Sequence, residues 1–281
     1  MTESSDSSTY ETEIRAWREQ REARLKADDG WLTVAGIFWL RPGENRFGSE
    51  RENAIVLPKG SAPGRAGSFF LAGDSVRVAV EPGVPLTCEG KPVQEMILKS
   101  DAEGQPDVLI LNDLRLFVIK RSKGYAIRMR HLNAPARKNF TGIDYFPIDA
   151  TWRIEARFVA YDPPKPVVVP NIIGTADTML APGYVEFVRG GRTVHLEPVI
   201  ESVEDEELFF IFKDETSAKE TYPPGRFLYS DLPAAGKVIL DFNRAYNPPC
   251  AFTDFATCPL PPPQNHIRIP VTAGEKRYGH H

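Results

Sequence analysis

The chain has 281 residues, of which 42% are hydrophobic and 26% charged, enough apolar material for a packed core and too much for a disordered tail. Its 34 lysines and arginines against 38 aspartates and glutamates leave a formal net charge of −4, so no basic field points to nucleic acid as a partner. Twenty-five prolines and 21 glycines beside only four methionines mark a turn-rich chain, which predicts many short strands and a mostly β fold in one large or two modest domains.

The cysteines Cys88, Cys250 and Cys258 are too few for a disulfide scaffold, and Met1-Thr2-Glu3-Ser4-Ser5 has neither a basic nor an apolar leader region. A soluble cytoplasmic protein with reduced thiols is the expectation. The longest apolar stretch, Trp31 to Leu40, is far short of the roughly 20 residues that span a bilayer and reads as core, with no membrane partner.

In chain order, Thr9 to Ala27 lacks Gly and Pro, and Ile14, Trp17 and Leu25 recur at helical spacing between the i,i+4 pairs Glu11/Arg15 and Glu22/Lys26. This predicts a helix that ends at Asp28-Asp29-Gly30, with a left-handed glycine cap, and packs across a sheet through Ile14 and Trp17. After Arg41-Pro42-Gly43 come short alternating runs: Asn53–Leu57, Ser68–Ala72, Ser75–Val80, Val108–Leu111, Leu114–Lys120 and Tyr125–Arg130. They read as a β-sandwich of roughly a hundred residues. The order Phe47-Gly48-Ser49, Asn53 to Pro58 and Cys88-Glu89-Gly90 loosely resembles forkhead-associated domains. Those domains read phosphothreonine with an arginine after the early glycine, a serine in the next loop and an asparagine before the later glycine. Here Ser49 and Glu89 hold the first and last of those places, and an acidic Glu89 repels phosphate. The resemblance therefore implies a degenerate, structural module.

His131 to Asp149 reads as a connection, which sets the expected boundaries at 1–30 for the helix, 31–147 for the first β module and 148–281 for the second. In the second, Trp152–Ala160, Val167–Ile173, Leu208–Lys213, Arg226–Tyr229 and Val238–Asn243 are expected strands. The clearest local signal is Val185 to Leu196, where Gly190-Gly191 separates two alternating runs. A two-residue turn needs positive φ at both central positions, so the register is predicted: Glu186 faces His195 on the polar side, while Val185, Phe187, Val194 and Leu196 form the apolar side.

Strong catalytic signatures are lacking: there is no Gly-x-Ser-x-Gly elbow, phosphate loop, His-Glu-x-x-His helix or dinucleotide fingerprint. Attention falls on Asp241-Phe242-Asn243-Arg244-Ala245-Tyr246-Asn247-Pro248-Pro249-Cys250, followed by Cys258-Pro259, Pro261-Pro262-Pro263 and Asn265, then Ala273-Gly274-Glu275-Lys276. With Gly36 to Leu40 and Thr221 to Leu228, this pattern closely resembles a bacterial and archaeal family of domains of unknown function, number 1684. The resemblance covers most of the chain and implies membership without an activity.

Two residues apart in a strand, Asp241 and Asn243 share a face. With Tyr246, Asn247 and Arg226 they supply acceptor, donor and cation for a polar pocket. The alternative is that Asp241 and Asn243 hydrogen-bond loop backbone and hold the proline-rich segment in place. Glu186 opposite His195 has the composition of a general base and its orienting carboxylate, or of a solvated surface pair. Cys250 and Cys258, eight apart, with His131, His195 or His266 as a third ligand, lack the tight spacing of a zinc site, and no metal is expected. The reading is a small-molecule enzyme of hydrolase or lyase type without an organic cofactor, with Asp241, Glu186 and His195 catalytic and Asn243, Tyr246, Asn247 and Arg226 binding. A noncatalytic ligand- or partner-binding protein using the same pocket is the alternative.

Overall fold

With neither Gly nor Pro, residues 3–26 form a single α-helix, α1 (Glu3–Lys26). This computed structural model describes residues 3–200 and 204–279, so the first two residues of the amino-terminal stretch, and His280 and His281, lie outside the described residues. Gly30 is not a left-handed cap: its backbone is extended at φ −74° and ψ 163°. Its N–H closes a turn onto the Ala27 carbonyl at 2.8 Å, and its own carbonyl accepts the Thr33 hydroxyl at 2.7 Å. These bonds end the helix without positive φ.

Two compact units make up the chain, residues 26–140 and residues 1–25 with 141–281. The helix thus belongs with the second β module instead of standing apart over 1–30, and the division falls at 140/141 where 147/148 was expected. In the 26–140 unit the strands are β1 (Val34–Trp39), β2 (Gly43–Gly48), β3 (Ile55–Val56), β4 (Gly67–Ala72), β5 (Ser75–Val80), β6 (Thr87–Cys88), β7 (Lys91–Pro92), β8 (Glu95–Leu98), β9 (Leu109–Leu111), β10 (Leu114–Arg121) and β11 (Gly124–His131). They build a five-stranded sheet, β3-β2-β4-β5-β8, and a six-stranded sheet, β1-β11-β10-β9-β6-β7. Phe47, Phe69, Val78, Leu116 and Ile127 belong to their common core. The Trp31–Leu40 stretch supplies β1, paired to β11 at the edge of the larger sheet. A short helix, α2 (Pro135–Lys138), closes the unit.

The second unit contains β12 (Arg153–Pro170), β13 (Ala176–Arg189), β14 (Arg192–Leu196), β15 (Glu207–Phe212), β16 (Arg226–Asp231) and β17 (Lys237–Asp241). Four of them form the sheet β14-β13-β12-β17, and β15 pairs with β16. Val167–Ile173 is not a strand of its own; most of it continues β12 through a shift of register between Ala160 and Lys165. Pro163 and Pro164, which cannot donate to the ladder, sit inside that irregularity. The β13–β14 turn has Gly190 at φ 57° and Gly191 at φ 73°, and Glu186 pairs with His195 as the turn chemistry dictates. Phe187, Leu208, Phe210, Phe212, Leu228, Leu240 and Phe242 share one core.

Against this unit α1 docks with a largely polar stripe, not with an apolar face across a sheet. Arg18 donates to the Phe146 carbonyl and Arg21 to the Asn247 carbonyl, each at 3.0 Å, and Glu22 accepts the Ile143 N–H at 3.1 Å. Ile14 and Leu25 add buried apolar side chains. The reason is what the helix covers: it lies on loop segments around residues 143–146, 241–247 and 275, whose backbone groups need partners.

Candidate functional site

Strand β17 stops at Asp241 because the side chain of that residue caps the next turn. Its carboxylate accepts the Asn243 N–H at 3.1 Å and so starts the 3-10 turn Phe242–Arg244. The expected strand through Asn243 is therefore cut short, and Asp241 and Asn243 do not share a strand face. Asn243 is fully buried, with its Oδ1 accepting the Asp149 N–H at 3.1 Å and its Nδ2 donating to the Asp149 carbonyl at 2.8 Å and the Tyr10 hydroxyl at 2.9 Å. Tyr10 in turn donates to Asp241 Oδ1 at 2.8 Å. Burial and the Asp241 charge push the Tyr10 pKa well up, so it remains a proton donor.

The Asp241 carboxylate opens on its other side into a cleft of about 350 Å³. Helix α1 contributes Glu13 and Trp17, β12 and the 3-10 turn contribute Arg153 and Arg244, and β15–β16 contribute Glu207, Tyr229 and Asp231. Tyr246 completes an aromatic wall, its ring lying 6.4 Å from that of Tyr229 and 13° from parallel to it. Arg153 is the cross-strand partner of Asp241, and Arg244 Nε lies 3.5 Å from Asp241 Oδ2. Glu207 is the cross-strand partner of Asp231, two like charges directly opposite, an arrangement that costs stability when nothing lies between them. Four carboxylates thus face two guanidinium groups across one depression.

Arg226 and Asn247 do not line this cleft. Arg226 is 1% exposed and pairs with Asp214 at 2.8 Å, while also donating to the carbonyls of Val271, Ala273 and Glu275. Asn247 is fully buried, its N–H given to Glu275 at 2.7 Å and its Nδ2 to the Lys276 carbonyl at 2.7 Å. Gly274, at φ 78°, allows the 273–276 segment to pass so close that an added Cβ would collide with the Ala245 carbonyl. Much of the motif is a lattice of mutual anchors. Asp241, Arg244 and Tyr246 are its members that reach the cleft.

Glu186 and His195 do meet, Oε2 to Nε2 at 2.7 Å, with Arg157 Nε 3.5 Å from the other carboxylate oxygen. The imidazole side chain is 56% exposed, and β14 is the opposite edge of the sheet from β17. His195 lines a separate groove with Arg192, Gln264, His266 and Arg268. The chain therefore does not assemble Asp241 with Glu186 and His195 in one centre. What sequence reasoning missed were Tyr10, Glu13 and Trp17. Their spacing of three and four places them on one helix face, a signal that was present; Glu207 opposite Asp231 required knowing which strands pair.

Among the described residues no three His, Cys, Asp or Glu side chains gather to hold a metal ion, and no helix is long and apolar enough to cross a membrane. A family described as "protein of unknown function (DUF1684)" matches residues 138–276. A solved uncharacterised protein of Haloarcula marismortui is 33% identical, with the similarity covering 50% of this chain and 78% of that one at a TM-score of 0.42. The chain belongs to the DUF1684 family. Forkhead-associated domains are also among the similar solved structures. One, the FhaA domain complexed with the intracellular domain of Rv3910, is 22% identical and covers 33% of this chain and 86% of its own length at a TM-score of 0.24. Another, from work on phosphothreonine-dependent interactions, is 23% identical over 32% of this chain and 79% of its own, also at 0.24. Neither bears on activity. No curated protein matches the chain. The family match includes Asp241, Arg244 and Tyr246 but stops short of Tyr10, Glu13 and Trp17.

Proposed function

We propose that the cleft beside Asp241 binds a small organic ligand carrying an ammonium or guanidinium group. The observation behind this is the Glu207/Asp231 pair facing the cleft together with Asp241 and Glu13: a cation between the opposed carboxylates relieves their repulsion. Trp17 offers a ring face that attracts such a cation, whereas the Tyr246 ring already carries the Arg21 guanidinium at 4.6 Å and Tyr229 stacks on Phe209. A carboxylate on the same ligand would meet Arg153 or Arg244, so amino-acid-like zwitterions fit better than simple amines.

Calorimetric titration of amines, zwitterions, dicarboxylates and neutral polyols against the protein tests the reading. Cationic and zwitterionic compounds are expected to bind. E207Q should weaken them about tenfold, roughly 1.4 kcal/mol, with the free protein melting no lower, because one of the two opposed charges is gone. D241N keeps an acceptor for Tyr10 and should lower affinity at a small cost in stability. Binding of dicarboxylates or polyols in place of cations would overturn the proposal. If D241N left the ligand profile unchanged and melted far lower, Asp241 would be an anchor alone.

A second reading, a hydrolase or lyase without an organic cofactor, is favoured by the Tyr10 hydroxyl held 2.8 Å from Asp241, a donor beside a candidate base. Prolonged incubation separates the two: a ligand recovered unchanged belongs to a binding protein, and one converted with loss of that conversion in D241N belongs to an enzyme.

A further inference from the structure

Cys250 and Cys258 lie eight residues apart in sequence but side by side in the fold. The Cys250 N–H donates to the Cys258 sulfur at 3.2 Å. Both are fixed by their surroundings. Pro248 and Pro249 lead into the 3-10 turn Pro249–Ala251, and the Tyr222 hydroxyl donates to the Cys250 carbonyl at 3.0 Å. On the other side the Cys258 carbonyl accepts the Ile172 N–H at 3.0 Å, and Pro259 comes next in the chain. The two sulfurs differ in access: Cys250 is half-buried, whereas Cys258 is 3% exposed.

We propose that this pair is a reversible dithiol–disulfide site, with Cys250 as the attacking sulfur and Cys258 as the resolving one. The oxidant is a low-molecular-weight disulfide. Cys250, as thiolate, attacks one sulfur of that disulfide and expels the other half as a thiolate, leaving a mixed disulfide on Cys250. Cys258 gives up its proton, attacks Cys250 Sγ and expels the second half. The pair loses two electrons and two protons in all, and the small disulfide becomes two thiols. The contact with Cys258 holds the Cys250 thiol below its ordinary pKa despite burial, the direction that favours attack. Cys88 stands in contrast, its pKa raised by burial and by nearby Asp107 and Glu89. Closing the loop holds the segment after Tyr246 and should raise the melting temperature by about 5 °C.

The full chain is incubated with oxidised glutathione, unfolded in an alkylating agent and read by intact and peptide mass spectrometry. The wild-type chain should lose two alkylatable thiols together, retain no glutathione and leave Cys88 alkylated. C258S should instead accumulate glutathione on Cys250, and C250S should take up neither modification. Wild-type protein that carries stable glutathione on Cys250, or in which Cys88 reacts as fast as the pair, overturns the proposal, as does an oxidised form that melts no higher than the reduced one. These wild-type outcomes decide the matter even if a variant fails to fold.

Discussion

Arg226 shows what single residues of this chain are built to do. Its guanidinium is fully buried, and desolvation lowers its pKa against the opposing pull of Asp214. Three carbonyls from one short segment, residues 271–275, take the Nη donors together with Asp214, while Nε stays buried without a hydrogen-bond partner. Removing one member of such a pair leaves a charge stranded, at a cost of about 3–5 kcal/mol. R226M should show that loss in urea denaturation, and R226M with D214L should recover part of it, because no buried charge is then left over. Cationic ligands should still bind whatever R226M remains folded. At this scale the residue types were readable and their roles were not. Asn243 and Asn247 were visible as polar residues near the end of a strand, but burial and partnership with Asp149, Glu275 and Lys276 arise from chain segments far away in sequence. Nothing local separates an anchor from a ligand-binding group.

Among the elements, the β13–β14 hairpin was legible to the last pair, since two adjacent glycines allow one twist-matched turn and the alternation then sets every facing residue. Helix α1 was legible as a helix and misread as a packing unit, for its stripe of Tyr10, Arg18, Arg21 and Glu22 contacts loops whose positions no periodicity encodes. The central contact is Arg21 with Glu275 at 3.0 Å, the carboxylate side chain being fully buried. Burial raises the Glu275 pKa, and Arg21 and the Asn247 N–H oppose the rise. R21M removes the main opposing group and should destabilise the protein by about 3 kcal/mol at pH 7. A carboxyl whose folded pKa lies above its unfolded one contributes stability at low pH and loses it as pH rises through the folded value. The R21M deficit should therefore shrink between pH 7 and pH 5 in thermal melts. A deficit independent of pH would mean that the helix is held by its other contacts.

For the molecule as a whole, composition and turn density were enough to read a mostly β chain with two cores. The boundary was harder, because the second unit draws its first 25 residues from the other side of the 26–140 unit, and no linear scan reveals such an arrangement. Acid tolerance of the 26–140 unit should depend on Asp113. Burial raises its pKa, but hydrogen bonds from Asn133 and His131, the latter at 2.6 Å, outweigh that and hold it below its ordinary 3.8. With the folded value depressed, its contribution is complete above the unfolded pKa and drains away as pH falls through the folded one. D113N should be the less stable protein at pH 6, and the gap to wild type should close between pH 4 and pH 2 when the Trp31 and Trp39 emission is monitored. A constant gap would mean that the Asn133 and His131 contacts carry no charge-dependent stability.

The partners of α1 lie at the far end of the chain, Arg21 and Glu275 being 254 positions apart. A ribosome adding about 5–20 residues per second delivers Glu275 roughly 10–50 s after Arg21. During that wait the 26–140 unit has all of its strands and can close its own core, whereas the helix is out with nothing to cover its Ile14, Trp17 and Leu25 side chains. The second unit is thus finished only once residues 273–275 have been made. A chain stopped before Val271 has a helix with no Glu275 to grip and an Arg226 without the carbonyls of residues 271, 273 and 275, a half-finished surface that protein quality control can recognise.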